Sequence, residues 1–257
     1  VLQGGLILAS LAIVATVTLI IVNSIPSPRP GPRNMLSDGI TIGANFEAVS
    51  TPALEAGDEP VETEQAPDSD AIAIEIYADY LCPACAVFAE TNDERVSTLL
   101  EQGAVTVEIH PLAIFDGRSV GTNYSTRAAN AAACVANYSP NSFFQFNRLM
   151  FANQPPEQEK GLTDDELVAI TEEADVSRAA VIRTCIEDLR FESWVEAATE
   201  RATVERDLLD DSGQAIFVNG ERYQGALDDA TAFAQFTAGA DAAASSQKSA
   251  ASPSPAP

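Results

Sequence analysis

The chain has 257 residues, 46% of them hydrophobic, with 38 Asp and Glu against 14 Lys and Arg and a formal net charge of −24. That acid excess leaves no basic patch for a phosphate backbone and excludes nucleic acid as a partner. It favours solubility and biases the chain against acidic substrates.

Residues 4–22 are an uncharged apolar run. As a helix it measures about 28 Å, enough to cross a bilayer, and it is expected to be a single transmembrane anchor. The competing reading is a secretory signal peptide. Against it, the run exceeds an ordinary signal core, and Asn23-Ser24-Ile25-Pro26 is a poor cleavage site. Arg29 and Arg33 follow the run and no basic residue precedes it, which by the positive-inside rule alone would put the body in the cytoplasm. Four cysteines, an even count, suit an oxidising space, and the body is expected outside the cytoplasm. Residues 23–37 read as a Pro-rich linker, with Pro26, Pro28, Pro30 and Pro32 alternating in an extended, semi-rigid spacer.

Residues 38–238 then make one folded domain. A short first strand is expected at 39–42, followed by an acidic, Pro-containing connection over 51–70. Residues 71–77 alternate β-branched side chains at period two and predict a strand. A loop over 78–81 leads into Cys82-Pro83-Ala84-Cys85, and a helix is expected from 84 to 100. Cys82 therefore sits at a helix N-terminus, where unpaired backbone N–H groups and the helix dipole favour thiolate over thiol. A low-pKa cysteine with a second one turn later forms a dithiol–disulfide couple. Two plainer readings compete. Zinc needs two further ligands with their own spacing, and His110 is the only histidine. A static disulfide fits the strand–Cys-x-x-Cys–helix setting less well than an exchanging one.

A second alternating strand is expected at 105–110, and residues 122–207 read almost wholly helical. The small residues of 128–136 permit close packing. The aromatic cluster in 142–152 reads as core, and His110 as a structural polar residue. Thr163-Asp164-Asp165-Glu166 is a capping box. Ser177 is expected to cap the next helix, which carries Val181, Ile182, Cys185, Ile186 and Leu189 on one face. Strand signals return at 215–218, Asn219-Gly220 is a hairpin turn, and Arg222-Tyr223 begin the return strand. A last helix is expected at 228–237. Residues 239–257 lack large apolar side chains and read as a disordered tail. The strand–helix–strand unit implies a parallel pair with a right-handed crossover. The fold class is α/β: a thioredoxin-like mixed sheet with an inserted helical subdomain over about 122–207, preceded by one transmembrane helix.

Four segments carry a family resemblance: Tyr77-Ala78-Asp79-Tyr80-Leu81-Cys82-Pro83-Ala84-Cys85, His110-Pro111-Leu112-Ala113-Ile114, Tyr124-Ser125-Thr126-Arg127-Ala128-Ala129-Asn130 and Phe217-Val218-Asn219-Gly220. Over residues 37–238 the chain resembles the DsbA-like thiol:disulfide oxidoreductases, in particular the membrane-anchored thioredoxin-domain proteins of actinobacteria. The resemblance implies that Cys82 is the exposed attacking thiol and Cys85 its buried resolving partner. It implies a second disulfide between Cys134 and Cys185 within the helical block, against the alternative of two buried free thiols. Substrate docking falls to Gln214 and Ala215, with Pro83, Ala84, Asp79 and Tyr80 beside the active site. For Asp79 and Tyr80, tuning of access and plain loop packing stand as equal readings. The implied partners are secreted proteins bearing thiols or disulfides, and a quinone-linked membrane reoxidant. No organic cofactor and no metal are implied, and a monomer is expected.

The sequence departs from the family pattern at three places. Gln214 stands where relatives carry a cis-proline, and no proline occurs between Pro156 and Pro253. Ile76 stands where relatives bury an acid six residues before the first cysteine, with Glu75 on the opposite strand face; release of the Cys85 proton then falls to water. Ala84 replaces the histidine of strongly oxidising relatives, which predicts a less oxidising couple. The departures keep two alternatives open: a thioredoxin-like scaffold with a static disulfide, and a reductase or isomerase.

Overall fold

The computed structural model describes residues 29–63, 70–205, 208–209 and 212–251. Its strands are β1 (Ile40–Ile42), β2 (Ile72–Asp79), β3 (Val105–Leu112), β4 (Ala215–Val218) and β5 (Glu221–Arg222). They form one sheet in the order β1-β3-β2-β4-β5. β2 pairs parallel with β3 and antiparallel with β4, while β1 and β5 add antiparallel edges. The parallel β2–β3 pair is joined by helix α1 (Pro83–Glu101), so the crossover unit read from the sequence is present. β2 runs two residues past its expected end and takes up Ala78 and Asp79. β3 continues through Pro111, which pairs with Ala78. β1 reaches only as far as Ile109, so the missing N–H of Pro111 faces a stretch where β3 has no β1 partner.

Among the described residues, five α-helices lie between β3 and β4: α2 (Tyr124–Tyr138), α3 (Phe143–Ala152), α4 (Asp164–Glu173), α5 (Ala179–Glu187) and α6 (Glu192–Glu200). α2 is the axis of this block. Its run of small residues from Ala128 to Ala136 is buried, which lets α3, α5 and α6 pack against it closely. Asn130 fixes the arrangement from within, accepting the Phe191 N–H at 2.8 Å. Phe143, Phe144, Phe146 and Met150 of α3 are buried, as a core reading of that cluster requires. The capping box of α4 is formed, with Glu166 accepting from the Thr163 N–H and Thr163 from the Glu166 N–H. Ser177 does not cap α5. Arg178 enters that helix in the left-handed region, and the Ser177 hydroxyl bonds Ser139 instead. On α5, Ile182, Cys185 and Ile186 are buried but Val181 is exposed, so the apolar face is narrower than expected.

The hairpin turn is present, with Asn219 at φ 49° and Gly220 at φ 78°, the conformation that an Asn-Gly pair supplies cheaply. The last helix, α7 (Ala230–Ala251), is capped by Asp229, whose carboxylate accepts from the Thr231 and Ala232 N–H groups. It packs Phe233 edge-on against Phe88 of α1 at 5.0 Å. Two sequence boundaries need correction. Helix α7 runs to Ala251, into the stretch that composition assigns to a disordered tail, because an Ala-rich segment continues a helix without needing a core. The C-terminal part of the 23–37 linker is no free spacer. Gly31, Pro32, Asn34 and Met35 are buried, and a Cβ at Gly31 would lie 2.7 Å from the Trp194 ring, so only glycine admits the contact. A bidentate Arg201–Asp38 ion pair, 2.6 Å at both contacts, ties the following residues to the end of the helical block. The expected anchor at 4–22 lies outside the described residues, and among the described residues no helix is long and apolar enough to cross a membrane.

Candidate active site

The site forms where β2 hands over to α1. Asp79 ends the central strand. Its carbonyl accepts from the Cys82 N–H at 3.0 Å, and its carboxylate from the Leu81 N–H at 2.8 Å. This Asx-type turn delivers Cys82 to the N-cap of α1. Pro83 takes the first helical position, where its missing N–H costs nothing and its φ is preset. The Cys82 sulfur occupies the place of a capping oxygen and accepts the Cys85 N–H at 3.0 Å. In the structure the two cysteines are joined by a disulfide, Cα to Cα 5.2 Å. Once it is reduced, the same N–H and the helix dipole face a Cys82 thiolate.

The resemblance implies an exposed Cys82, and the structure corrects that. Cys82 is fully buried, at 0% exposure, with the Ser212 carbonyl oxygen 3.4 Å from its sulfur. Ser212 belongs to the segment entering β4, and the next residue holds it in place. Gly213 has φ +80°, and a Cβ there would sit 2.4 Å from Phe115 Cζ. Glycine thus allows the chain to pass between Phe115 and the disulfide. Pro83 is exposed and Ala84 half-buried, while both cysteines of the disulfide are buried.

Asp79 is the buried acid of this site, three residues before Cys82 rather than six. Its carboxylate is fully buried and accepts four hydrogen bonds, from Leu81 N–H, Ile114 N–H, Phe115 N–H and the Ser125 hydroxyl, at 2.6–2.9 Å. Burial outweighs these bonds and pushes its pKa up from 3.8 to about 6. The residue joins three elements: the end of β2, the segment after β3 and the start of α2. Tyr80 is buried beside it, its hydroxyl donating to Asn147 at 3.0 Å, and burial raises its pKa. Both side chains are thus packed and hydrogen-bonded in the interior beside the turn.

Gln154, just beyond α3, is a site residue that sequence reasoning missed. Its side-chain N–H₂ donates to the carbonyls of Tyr80 and Cys82, both at 3.0 Å, and clamps the turn from the helical block. Gln214 immediately precedes β4 and is buried, while Ala215 is buried within β4 and pairs with Tyr77. Every peptide bond among the described residues is trans, the one into Gln214 included. Cys134 of α2 and Cys185 of α5 form a second disulfide, Cα to Cα 5.9 Å. His110 is buried and stacks on Tyr77 at 4.0 Å, within the sheet and apart from the cysteines. Among the described residues no three His, Cys, Asp or Glu side chains gather as metal ligands would.

A mixed sheet in this order, a disulfide capping the helix after its central strand and a helical block between β3 and β4 define a thioredoxin fold of DsbA-like architecture. The chain belongs to the thioredoxin family, whose model matches residues 64–236. Among solved structures it is similar to the disulfide bond oxidoreductase DsbG of Mycobacterium tuberculosis. The two are 26% identical, with 81% of this chain and 93% of that one covered, at a TM-score of 0.58. It is also similar to DsbA of the same organism, 25% identical, covering 79% and 99% at a TM-score of 0.57. A curated relative is the serine/threonine-protein kinase PknE of Mycobacterium tuberculosis, 29% identical over 117 residues. That match takes in 44% of this chain and only 20% of the kinase, so the chain spans about a fifth of its length.

Proposed function

We propose that the protein is an extracytoplasmic protein disulfide oxidoreductase that passes the Cys82–Cys85 disulfide to thiols of secreted proteins as they fold. The observation that carries this reading is the Cys82 sulfur at the N-cap of α1, accepting the Cys85 N–H at 3.0 Å. A substrate thiolate attacks Cys82 Sγ. The Cys82–Cys85 bond breaks, Cys85 leaves as a thiolate and takes a proton, and a mixed disulfide joins Cys82 to the substrate. A second substrate thiolate attacks the substrate sulfur and releases Cys82 as a thiolate, held by the Cys85 N–H and the helix dipole. The substrate dithiol is oxidised by two electrons and the protein is reduced by two. A membrane reoxidant then restores the disulfide, with the body held at the membrane by the apolar run at 4–22. The segment at Gln214 and Ala215 is the docking edge. Asp79 and Gln154 position the turn that carries Cys82.

Cys82→Ser should abolish transfer of a disulfide to a reduced dithiol peptide, and turnover retained by that variant would end the reading. The burial of Cys82 under the Ser212 carbonyl favours a second reading, a thioredoxin-like scaffold whose disulfide stays closed. Gln214→Pro separates the two: a faster exchange supports the enzyme, an unchanged slow one the scaffold.

A further inference from the structure

Glu108, midway along β3, is a carboxylate that the redox site does not use. Its side chain is 15% exposed, and Oε1 accepts from the hydroxyl of Ser37, in the segment leading into β1. The Gly39 carbonyl lies 3.2 Å from the same hydroxyl. Thr63 Oγ1 donates to Ser37 Oγ at 3.4 Å, and the Val61 N–H to the Leu36 carbonyl at 3.1 Å, so residues 61–63 rest on this segment too. Other groups face Glu108 from each neighbouring element. Thr41 of β1 and Glu75 of β2 stand opposite it in register. Glu62 adds a negative charge from the 61–63 stretch. His110 Nε2 is 3.6 Å from Oε1, with its ring stacked on Tyr77 and so close to Gly39 that a Cβ there would lie 2.6 Å away. Asp38 is taken up by Arg201.

Ser37 has one hydroxyl proton and two acceptors within reach, Glu108 Oε1 and the Gly39 carbonyl, and it can serve only one of them. A proton on Glu108 removes the conflict: Glu108 donates to Ser37, and Ser37 donates to Gly39. It also removes one of two like charges that face each other across β2 and β3. Burial raises the Glu108 pKa, the Ser37 bond opposes the rise, and the charges of Glu75 and Glu62 add to it. We infer that Glu108 is a proton-operated latch that clamps residues 36–42 and 61–63 to the sheet when protonated and loosens them when ionised. The closed segment binds the proton more tightly than the open one. Its opening is therefore least in acid, grows as pH rises from the ordinary carboxylate pKa to the raised one, and then levels off. The disulfide takes no part, so the inference is independent of the redox reading.

Amide hydrogen exchange in the oxidised full chain tests this, with Glu108→Gln as the comparison between pH 4 and pH 8. Gln matches protonated Glu in shape, can donate to Ser37 and does not titrate. Intrinsic exchange rates, and the titrations of Glu62, Glu75 and His110, are common to both chains, so the ratio of parent to variant at each pH isolates Glu108. At the Val61 amide that ratio should rise by at least about threefold from pH 4 to pH 8, and by at most about tenfold per unit. Glu108→Ala cannot titrate either and makes no bond to Ser37. It should exchange Val61 faster than Glu108→Gln at every pH, with a ratio between the two variants that stays flat. A parent-to-Gln ratio at Val61 that does not change with pH, or that falls, would overturn the inference. So would a rise of the same size at the buried amides of α2, since that would mark global unfolding rather than release of this segment.

Discussion

Replacing Asp79 by Asn tests the buried acid directly. Its pKa is raised from 3.8 to about 6, first by burial, against four hydrogen bonds that oppose the rise. Two units correspond to roughly 3 kcal/mol between protonation states. The folded-state pKa lies above the unfolded one, so the folded protein binds the proton more tightly. The contribution to stability is fully present below about pH 4 and is lost as pH rises through about 6. Roughly 2–3 kcal/mol of it is lost between pH 4 and pH 7. Asn cannot titrate. It can keep its oxygen on Ile114 and Phe115 and turn its N–H₂ toward Ser125, at the expense of the Leu81 N–H, a loss of about 1–3 kcal/mol that does not depend on pH. Urea titrations of parent and Asp79→Asn at pH 4, 5, 6 and 7 isolate the term, since all other carboxylates are common to both. The stability difference should move by roughly 2–3 kcal/mol in the variant's favour across that range. A difference that stays constant with pH would refute the reasoning.

Three other substitutions follow from the geometry. Changing Cys134 and Cys185 together to Ala removes a bridge across 51 residues. It should lower stability in urea by about 4 kcal/mol on the loop-entropy argument, and a loss under about 1 kcal/mol would contradict that. Gln154→Ala frees the Tyr80 and Cys82 carbonyls. The expected loss is about 1–2 kcal/mol in the same titration, together with slower disulfide exchange; unchanged values for both would deny the clamp. Gly213→Ala puts a Cβ into the Phe115 ring at φ +80°. It should cost about 1–3 kcal/mol and shift Ser212, so that reduced Cys82 reacts faster with iodoacetamide; slower or unchanged alkylation would show that Ser212 does not limit access.

The parts of the site legible in the sequence are those set by local chemistry. Period-two alternation marks β2, the Cys-Pro step marks the start of α1, and Asn-Gly marks the turn of the β4–β5 hairpin. The parts set by distant contacts were not legible. Asp79 sits in a turn sequence that fits loop packing equally well, and only Ile114, Phe115 and Ser125, brought in by folding, make it a buried acid. Gln154 reaches Cys82 across 72 residues and carries no local signature. The burial of Cys82 depends on Ser212, 130 residues away. At the C-terminus, composition was read through the lack of core-forming residues, whereas helix continuation past Gly239 depends on alanine propensity.

The most direct test of the central claim is the reduction potential of Cys82–Cys85 in the full chain, by equilibration with glutathione and thiol trapping. A disulfide donor whose Cys82 thiolate is held at a helix N-cap should have a potential near or above about −200 mV and exchange rapidly. A value below about −300 mV, or no exchange, would make the bond static or reductive and contradict the account.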